Sequence, residues 1–141
     1  MNILLVEDEV LIAMEQQLYL ETAGYSVTGP AATAQDALMM VGTRRHDLAL
    51  VDVHLACNSS GILVARQLTA VGVPCLFITS HPEEVEASGV GLGCLIKPFS
   101  ERELICSVEI AMDIMAGRLP ASPLRNLILF DPARLVENTR G

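Results

Sequence analysis

An α/β fold of five βα units around a parallel sheet is predicted by three observations in this 141-residue chain. Short apolar runs of strand length alternate with longer segments of helical period. Four of those runs end in a polar residue: Asn2 to Val6 into Glu7 and Asp8, Leu48 to Val51 into Asp52, Cys75 to Ile78 into Thr79, and Cys94 to Ile96 into Lys97. The breakers Gly24, Gly29, Gly72, Pro74 and Gly89 fall between units, where an α/β chain needs its turns.

The elements follow in order. Residues 2 to 6 are the first strand, and a helix from about Glu9 to Ala23 places Val10, Met14 and Leu18 on one face, with Gly24 suited to the left-handed end position. Tyr25 to Thr28 is the second strand, halted by Gly29 and Pro30. Thr33 followed by Asp36 marks the start of a second helix that ends near Thr43. Residues 48 to 51 form the third strand and Ala56 to Ser60 a polar loop. Gly61 opens a third helix, in which Val64, Leu68 and Val71 keep helical spacing. After the fourth strand, 75 to 78, only a short helix fits, about 83 to 88, before the glycine-rich stretch Gly89 to Gly93. Cys94 to Ile96 is the fifth strand. Ser100 with Glu103 is a capping-box sequence for a last helix lined by Leu104, Val108, Ala111 and Met115 and ending at Gly117.

Length and composition bound the rest. One domain of residues 1–117 accounts for the periodic part of the chain. Residues 118–141, punctuated by Pro120, Pro123 and Pro132, read as a tail whose apolar run Asn126 to Phe130 belongs to no further βα unit. That run is expected to pack on the parent domain as a strand or turn; a partner-binding or homodimer-forming segment is the alternative. The net charge of -8, with nine scattered basic residues, argues against a nucleic-acid surface. No apolar stretch approaches the ~20 residues that cross a bilayer, and the amino terminus lacks a signal-peptide pattern, so a cytoplasmic protein without membrane partners is expected. Cys57, Cys75, Cys94 and Cys106 show no metal or redox spacing and read as small structural hydrophobes.

The strand-end residues carry the chemistry. In a parallel sheet the carboxyl ends of the strands share one edge, where open α/β sheets bind ligands. Glu7, Asp8 and Asp52 would meet there as three like charges, which repel by several kcal/mol at ~4 Å and an effective dielectric of ~20. They call for a cation, and an oxygen-only donor set with open positions suits Mg²⁺, or Mn²⁺ in the same place. With charge offset by the metal, Asp52 can act as a nucleophile toward a phosphoryl donor, while Thr79 and Lys97 bind the phosphoryl oxygens and small Ser80 leaves the approach open.

At these residues the chain resembles the response-regulator receiver domains of bacterial two-component signalling. The acidic pair Glu7-Asp8, then Asp52, Thr79 with a small residue after it, and Lys97-Pro98 stand in the family's order over residues 1 to 117. The resemblance implies a flavodoxin-like, doubly wound sheet of five parallel strands with helices on both faces. It implies phosphorylation of Asp52, with Asp8 on the metal directly, Glu7 largely through water and the main-chain carbonyl of His54 as a further ligand. It also implies a sensor histidine kinase or histidine phosphotransfer protein as donor, a downstream protein target, a Thr79 hydroxyl that moves toward the phosphoryl group and a cis Lys97–Pro98 bond. The module is then no enzyme in the ordinary sense, since it assists transfer to and hydrolysis from its own Asp. A stand-alone receiver acting through protein contacts is the leading expectation.

Departures keep other readings open. Cys94 stands where the family carries an aromatic switch residue, with Phe99 the nearest substitute, and the fourth helix is short. Both suggest a receiver-like interaction protein that no longer cycles through phosphorylation. A phosphatase of the haloacid-dehalogenase type also uses a nucleophilic Asp and Mg²⁺, but Asp52-Val53-His54 lacks that class's second Asp. His54 and His81 read first as surface histidines and second as groups near the attacking water.

Overall fold

The protein is described here by a computed structural model covering residues 1–55, 59–119 and 124–130. The elements run β1 (Asn2–Val6), α1 (Val10–Thr22), β2 (Ser26–Ala31), α2 (Ala34–Val41), β3 (Leu48–Asp52), α3 (Gly61–Ala70), β4 (Cys75–Thr79), α4 (Pro82–Ser88), β5 (Gly93–Ile96), α5 (Glu101–Met115) and β6 (Leu127–Leu129). The sheet order is β2-β1-β3-β4-β5-β6. β1 to β5 pair in parallel, as the alternating pattern predicts, and β6 joins β5 antiparallel.

The five-strand expectation is therefore corrected to six. Its source is the run Asn126 to Phe130, which packs on the parent domain, as expected, and does so as an added edge strand. The loop residues 56–58, with Cys57, and the tail positions Pro120, Pro123 and Pro132 lie outside the described residues.

Two apolar layers cover the sheet. On one face Ala37, Val64, Ala65, Leu68 and Val85 from α2, α3 and α4 meet Leu4, Val6, Ala49, Val51, Phe77 and Cys94. On the other, Ala13, Leu20, Leu104, Val108 and Ala111 from α1 and α5 meet Ile3, Leu5, Leu48, Leu50, Leu76, Ile78 and Leu95. The central strands, buried on both sides, need apolar side chains at every position, which is why they read as continuous runs.

Three local expectations change. The α1 stripe Val10, Met14 and Leu18 faces solvent, at 65%, 59% and 63% exposure; Ala13, Gln16 and Leu20 face the sheet instead. α1 is apolar on most of its circumference, so spacing alone could not choose its buried side. β2 runs on through Gly29 and Pro30 to Ala31, because it is an edge strand and loses no ladder bond to the imide nitrogen. Gly29, at φ 114°, sits against the Leu5 carbonyl where no Cβ fits. Phe99 packs in the α1/α5 layer, across the sheet from Cys94, and so fills no space beside it.

Helix starts match their sequence signals. Thr33 accepts from the Asp36 amide at the head of α2, and Ser100 and Glu103 form a reciprocal capping box at the head of α5. α4 is a single short piece of seven residues that ends on Gly89 at φ 76°, a left-handed position favouring glycine.

Candidate functional site

The carboxyl ends of β1, β3, β4 and β5 lie side by side, since β1 pairs with β3, β3 with β4 and β4 with β5. Glu7 and Asp8 follow β1 directly. Asp52 ends β3, Thr79 ends β4, and Lys97 follows Ile96 at the end of β5. Carboxylate oxygens of Glu7, Asp8 and Asp52 all come within 4.8 Å of one another. Lys97 reaches over from β5 and places its Nζ 3.1 Å from Asp52 Oδ2 and 4.0 Å from Glu7 Oε1.

The main chain fixes these groups. The Glu9 amide donates to Glu7 Oε2 at 3.2 Å and the His54 amide to Asp52 Oδ1 at 3.2 Å. Thr79 Oγ1 accepts from the His81 amide at 2.9 Å, which orients the hydroxyl at the strand end. Gly61 N donates to the Val53 carbonyl at 2.7 Å, and a Cβ on Gly61 would collide with the carbonyl of Asp52. The start of α3 is thus pressed against the backbone that carries Asp52. Lys97–Pro98 is cis, as the resemblance implied, and so is Gly29–Pro30.

Electrostatics mark one carboxyl. Glu7 is almost fully buried and its Oε1 has no hydrogen-bond partner. Burial first, and then the neighbouring Asp52, push its pKa up to about 8; the Glu9 amide and Lys97 act the other way without cancelling this. A buried oxygen without a partner, next to two more carboxylates, is the donor set a hard divalent cation would satisfy. The residues present fit Mg²⁺.

Around this group lie residues that the sequence reading undervalued. Glu84, near the start of α4, sits with Oε2 3.4 Å from His54 Nε2, and the rings of His54 and His81 meet edge to face at 5.7 Å. His54 and Glu84 line a hollow of about 340 Å³ together with Val53, Leu55, Ser59, Ser60 and Ile62. Glu84 carries no sequence signal beyond being acidic in the first turn of a helix, which already explains it. Gly61 could have been found, because a glycine at a helix start so soon after a strand-end Asp points to a close backbone approach. Cys75 and Cys94 are buried inside strands, and burial raises both thiols, to about 12 and about 11, so neither is a nucleophile.

Residues 3–109 match the family described as the response regulator receiver domain. Among curated proteins the chain is 41% identical over 84 residues to the phyllosphere-induced regulator PhyR of Methylorubrum extorquens, covering 58% of this chain and 32% of that protein. It is 29% identical over 116 residues to the transcriptional regulatory protein PdtaR of Mycobacterium tuberculosis, covering 79% and 56%. The chain thus spans about a third of the first relative's length and little more than half of the second's. Among solved structures, a CheY-like receiver domain protein of Methanospirillum hungatei superposes with a TM-score of 0.73 at 23% identity over 82% of this chain and 96% of that one, which shows the shared fold.

Proposed function

Since the chain belongs to the response regulator receiver family, we propose that it is a phosphoacceptor module of a two-component relay, modified on Asp52 and acting through protein contacts. The observation that carries this reading is the Lys97–Asp52 pair of 3.1 Å at the tip of a three-carboxylate cluster. Asp52 is held by one amide and one ammonium, and its side chain is only 12% exposed, so a single nucleophilic oxygen is presented in a fixed direction.

In this reading Glu7, Asp8, Asp52 and the main-chain carbonyl of His54 would hold Mg²⁺, which when bound offsets the charge of the carboxylate and the incoming phosphoryl group. The Lys97 ammonium neutralises one phosphoryl oxygen and the Thr79 hydroxyl donates to another once it turns from its place above the His81 amide. Residues 1–117 form the receiver, and the following residues supply β6. Receivers are signalling modules, and the chain's only substrate here is its own Asp52.

The donor is a phosphohistidine-bearing kinase or phosphotransfer protein, in keeping with the family. A protein donor must sit over the rim of the site to bring its phosphorus to Asp52. Val10 and Leu11, directly after Glu7-Asp8-Glu9, begin an exposed apolar stripe that continues through Met14 and Leu18 along α1. Such a contiguous exposed apolar stripe is what a docking partner covers. Among the described residues no helix is long and apolar enough to cross a membrane, and a cytoplasmic site of action is part of this proposal.

The test is direct. Incubation with acetyl phosphate and Mg²⁺ should add one phosphoryl group to the wild-type chain, and Asp52→Ala should remain unmodified by intact-mass measurement. Modification that persists in the variant would reject Asp52 as acceptor. No modification of the wild type, with no binding of berylliofluoride, would favour the phosphorylation-independent reading that Cys94 suggests.

A further inference from the structure

β6 occupies an edge that is shaped to receive it. Its ladder on β5 runs from the Phe130 amide, which donates to the Leu92 carbonyl at 3.0 Å, to the Ile96 amide, which donates to the Asn126 carbonyl at 2.8 Å. Between them Gly93, Cys94 and Leu95 stand opposite Leu129, Ile128 and Leu127. Side chains alternate as strand geometry requires. Ile128 and Phe130 enter the layer that contains Val85, Val90 and Cys94, and Leu127 enters the layer of Leu104 and Val108.

Gly93 shows that the fit is built into β5 itself. The nearest atoms to a Cβ at that position all belong to Ile128 and Leu129, and the closest, the Ile128 carbonyl oxygen, would collide with it. With β6 absent those three close contacts are gone, and glycine in a strand weakens the sheet. The small Cys94 side chain next to it leaves the space that Ile128 enters.

The occupant, in contrast, is held lightly. β6 has only three strand residues, and Leu127, Ile128 and Phe130 are half-buried. At its end beside Ile96, Asn126 Nδ2 reaches the Ile96 carbonyl only at 3.4 Å and Asn126 Oδ1 is buried without a partner. A buried acceptor left unpaired opposes docking. Because β6 belongs to the same chain as α5, its pairing with β5 is intramolecular, and a short covalent link gives an effective concentration of the order of millimolar.

We propose that the β5 edge is a strand-accepting site for an extended apolar peptide of a partner protein, and that residues 126–130 are its tethered internal occupant. The partner segment runs antiparallel to β5 with apolar side chains at alternate positions, two entering the layer next to α4 and one the layer next to α5. Main-chain bonds give such a segment its affinity and the alternate side-chain pockets its specificity. The tethered strand sets a threshold, since a free peptide with the same contacts loses to it and one with additional contacts displaces it. Nothing in this depends on chemistry at Asp52.

The experiment uses the full chain and a fluorescent peptide copying residues 124–131, followed by anisotropy. Wild type should bind it weakly. Ile128→Asp, which expels the internal strand by burying a charge, should bind it at least tenfold more tightly. Adding Gly93→Val, which blocks the edge, should abolish that gain, and a peptide carrying the same Ile-to-Asp change should not bind at all. Circular dichroism and amide exchange over β1 to β5 check that each variant is folded, and Gly93→Ala replaces Gly93→Val if the larger side chain unfolds the protein. Equal affinity of wild type and Ile128→Asp would overturn the proposal. So would peptide binding that survives a folded Gly93 variant, or binding of the altered peptide.

Discussion

Glu7 Oε1 lies 4.0 Å from Lys97 Nζ, a distance that gives attraction without a hydrogen bond, and the oxygen is buried with no other partner. Asp52 takes the close contact at 3.1 Å. One ammonium therefore serves two carboxylates unequally, and Glu7 retains its proton up to about pH 8 because of burial and then of Asp52. In the unfolded chain the same carboxyl ionises near 4.5. Its contribution to stability is fully present below that value and is lost as pH rises through 8, since the folded state there binds the extra proton. Urea melts in chelator should thus show stability falling from pH 5 to pH 8, at up to about 1.4 kcal/mol per unit from this group. Glu7→Gln should flatten the slope; an equal slope in wild type and variant would contradict the assignment.

A bound divalent ion would reverse that preference. A cation bound among Glu7, Asp8 and Asp52 favours the ionised carboxyl, so binding must release the Glu7 proton and affinity must rise with pH. Titration calorimetry with Mg²⁺ between pH 6 and pH 8 should show affinity climbing by as much as tenfold per unit, with proton release evident from the buffer dependence of the heat. In Glu7→Gln the pH dependence over this range should vanish. Chelation should return the wild type to its metal-free melting curve.

How much of this was legible in the chain depends on what each residue does. Glu7, Asp8, Asp52, Thr79 and Lys97 were readable because a parallel sheet fixes the position of strand ends regardless of what lies between them. Ser100 and Glu103 were readable because a capping box is a local pattern. The buried side of α1 was not: Gln16 is buried and Val10, Leu11, Met14 and Leu18 are exposed, a choice made by packing rather than by period. The run Asn126 to Phe130 was expected to pack as a strand or turn, but its pairing with β5 was not readable, because Gly93 and its partner Leu129 are 36 residues apart and the glycine signal was absorbed by the Gly89 to Gly93 stretch. Proton retention by Glu7 needs the third dimension, as it depends on burial.

Gly61 supports Asp52 from behind. Its missing Cβ lets the head of α3 touch the Asp52 carbonyl, and any side chain there must push the two apart. Gly61→Ala should cost about 1–3 kcal/mol, in the range of overpacked cores. Because the displaced atoms belong to the residue proposed as phosphoryl acceptor, the rate of modification by acetyl phosphate should fall well beyond what the folded fraction explains. A variant that loses stability but keeps the full rate per folded molecule would show that the contact is only structural.

The α1 stripe separates two kinds of donor. Met14 and Leu18 are exposed at 59% and 63%, so Met14→Glu and Leu18→Glu should leave the melting temperature nearly unchanged. Acetyl phosphate requires no docking and should modify both variants at the wild-type rate. Transfer from a phosphohistidine protein should slow about tenfold for each lost apolar contact of about 1.4 kcal/mol. Equal slowing with both donors would place the effect in the pocket, and no slowing with either would remove α1 from the docking surface.

The cap of α5 tests whether site geometry and fold stability are held by different bonds. Ser100 Oγ accepts from the Glu103 amide at 3.1 Å while Glu103 Oε1 accepts from the Ser100 amide at 2.8 Å, three residues beyond Lys97. Ser100→Ala should cost about 1 kcal/mol, as lost N-caps do. Glu103→Ala should cost less, and the double variant less than the sum, because each side chain satisfies the other's residue. Lys97 is held separately, by its amide on the Thr79 carbonyl at 3.0 Å and its ammonium on Asp52. Modification of Asp52 by acetyl phosphate should accordingly proceed at the wild-type rate in Ser100→Ala. A rate that falls together with stability would mean that the cap, and not the β4–β5 pairing, sets the position of Lys97.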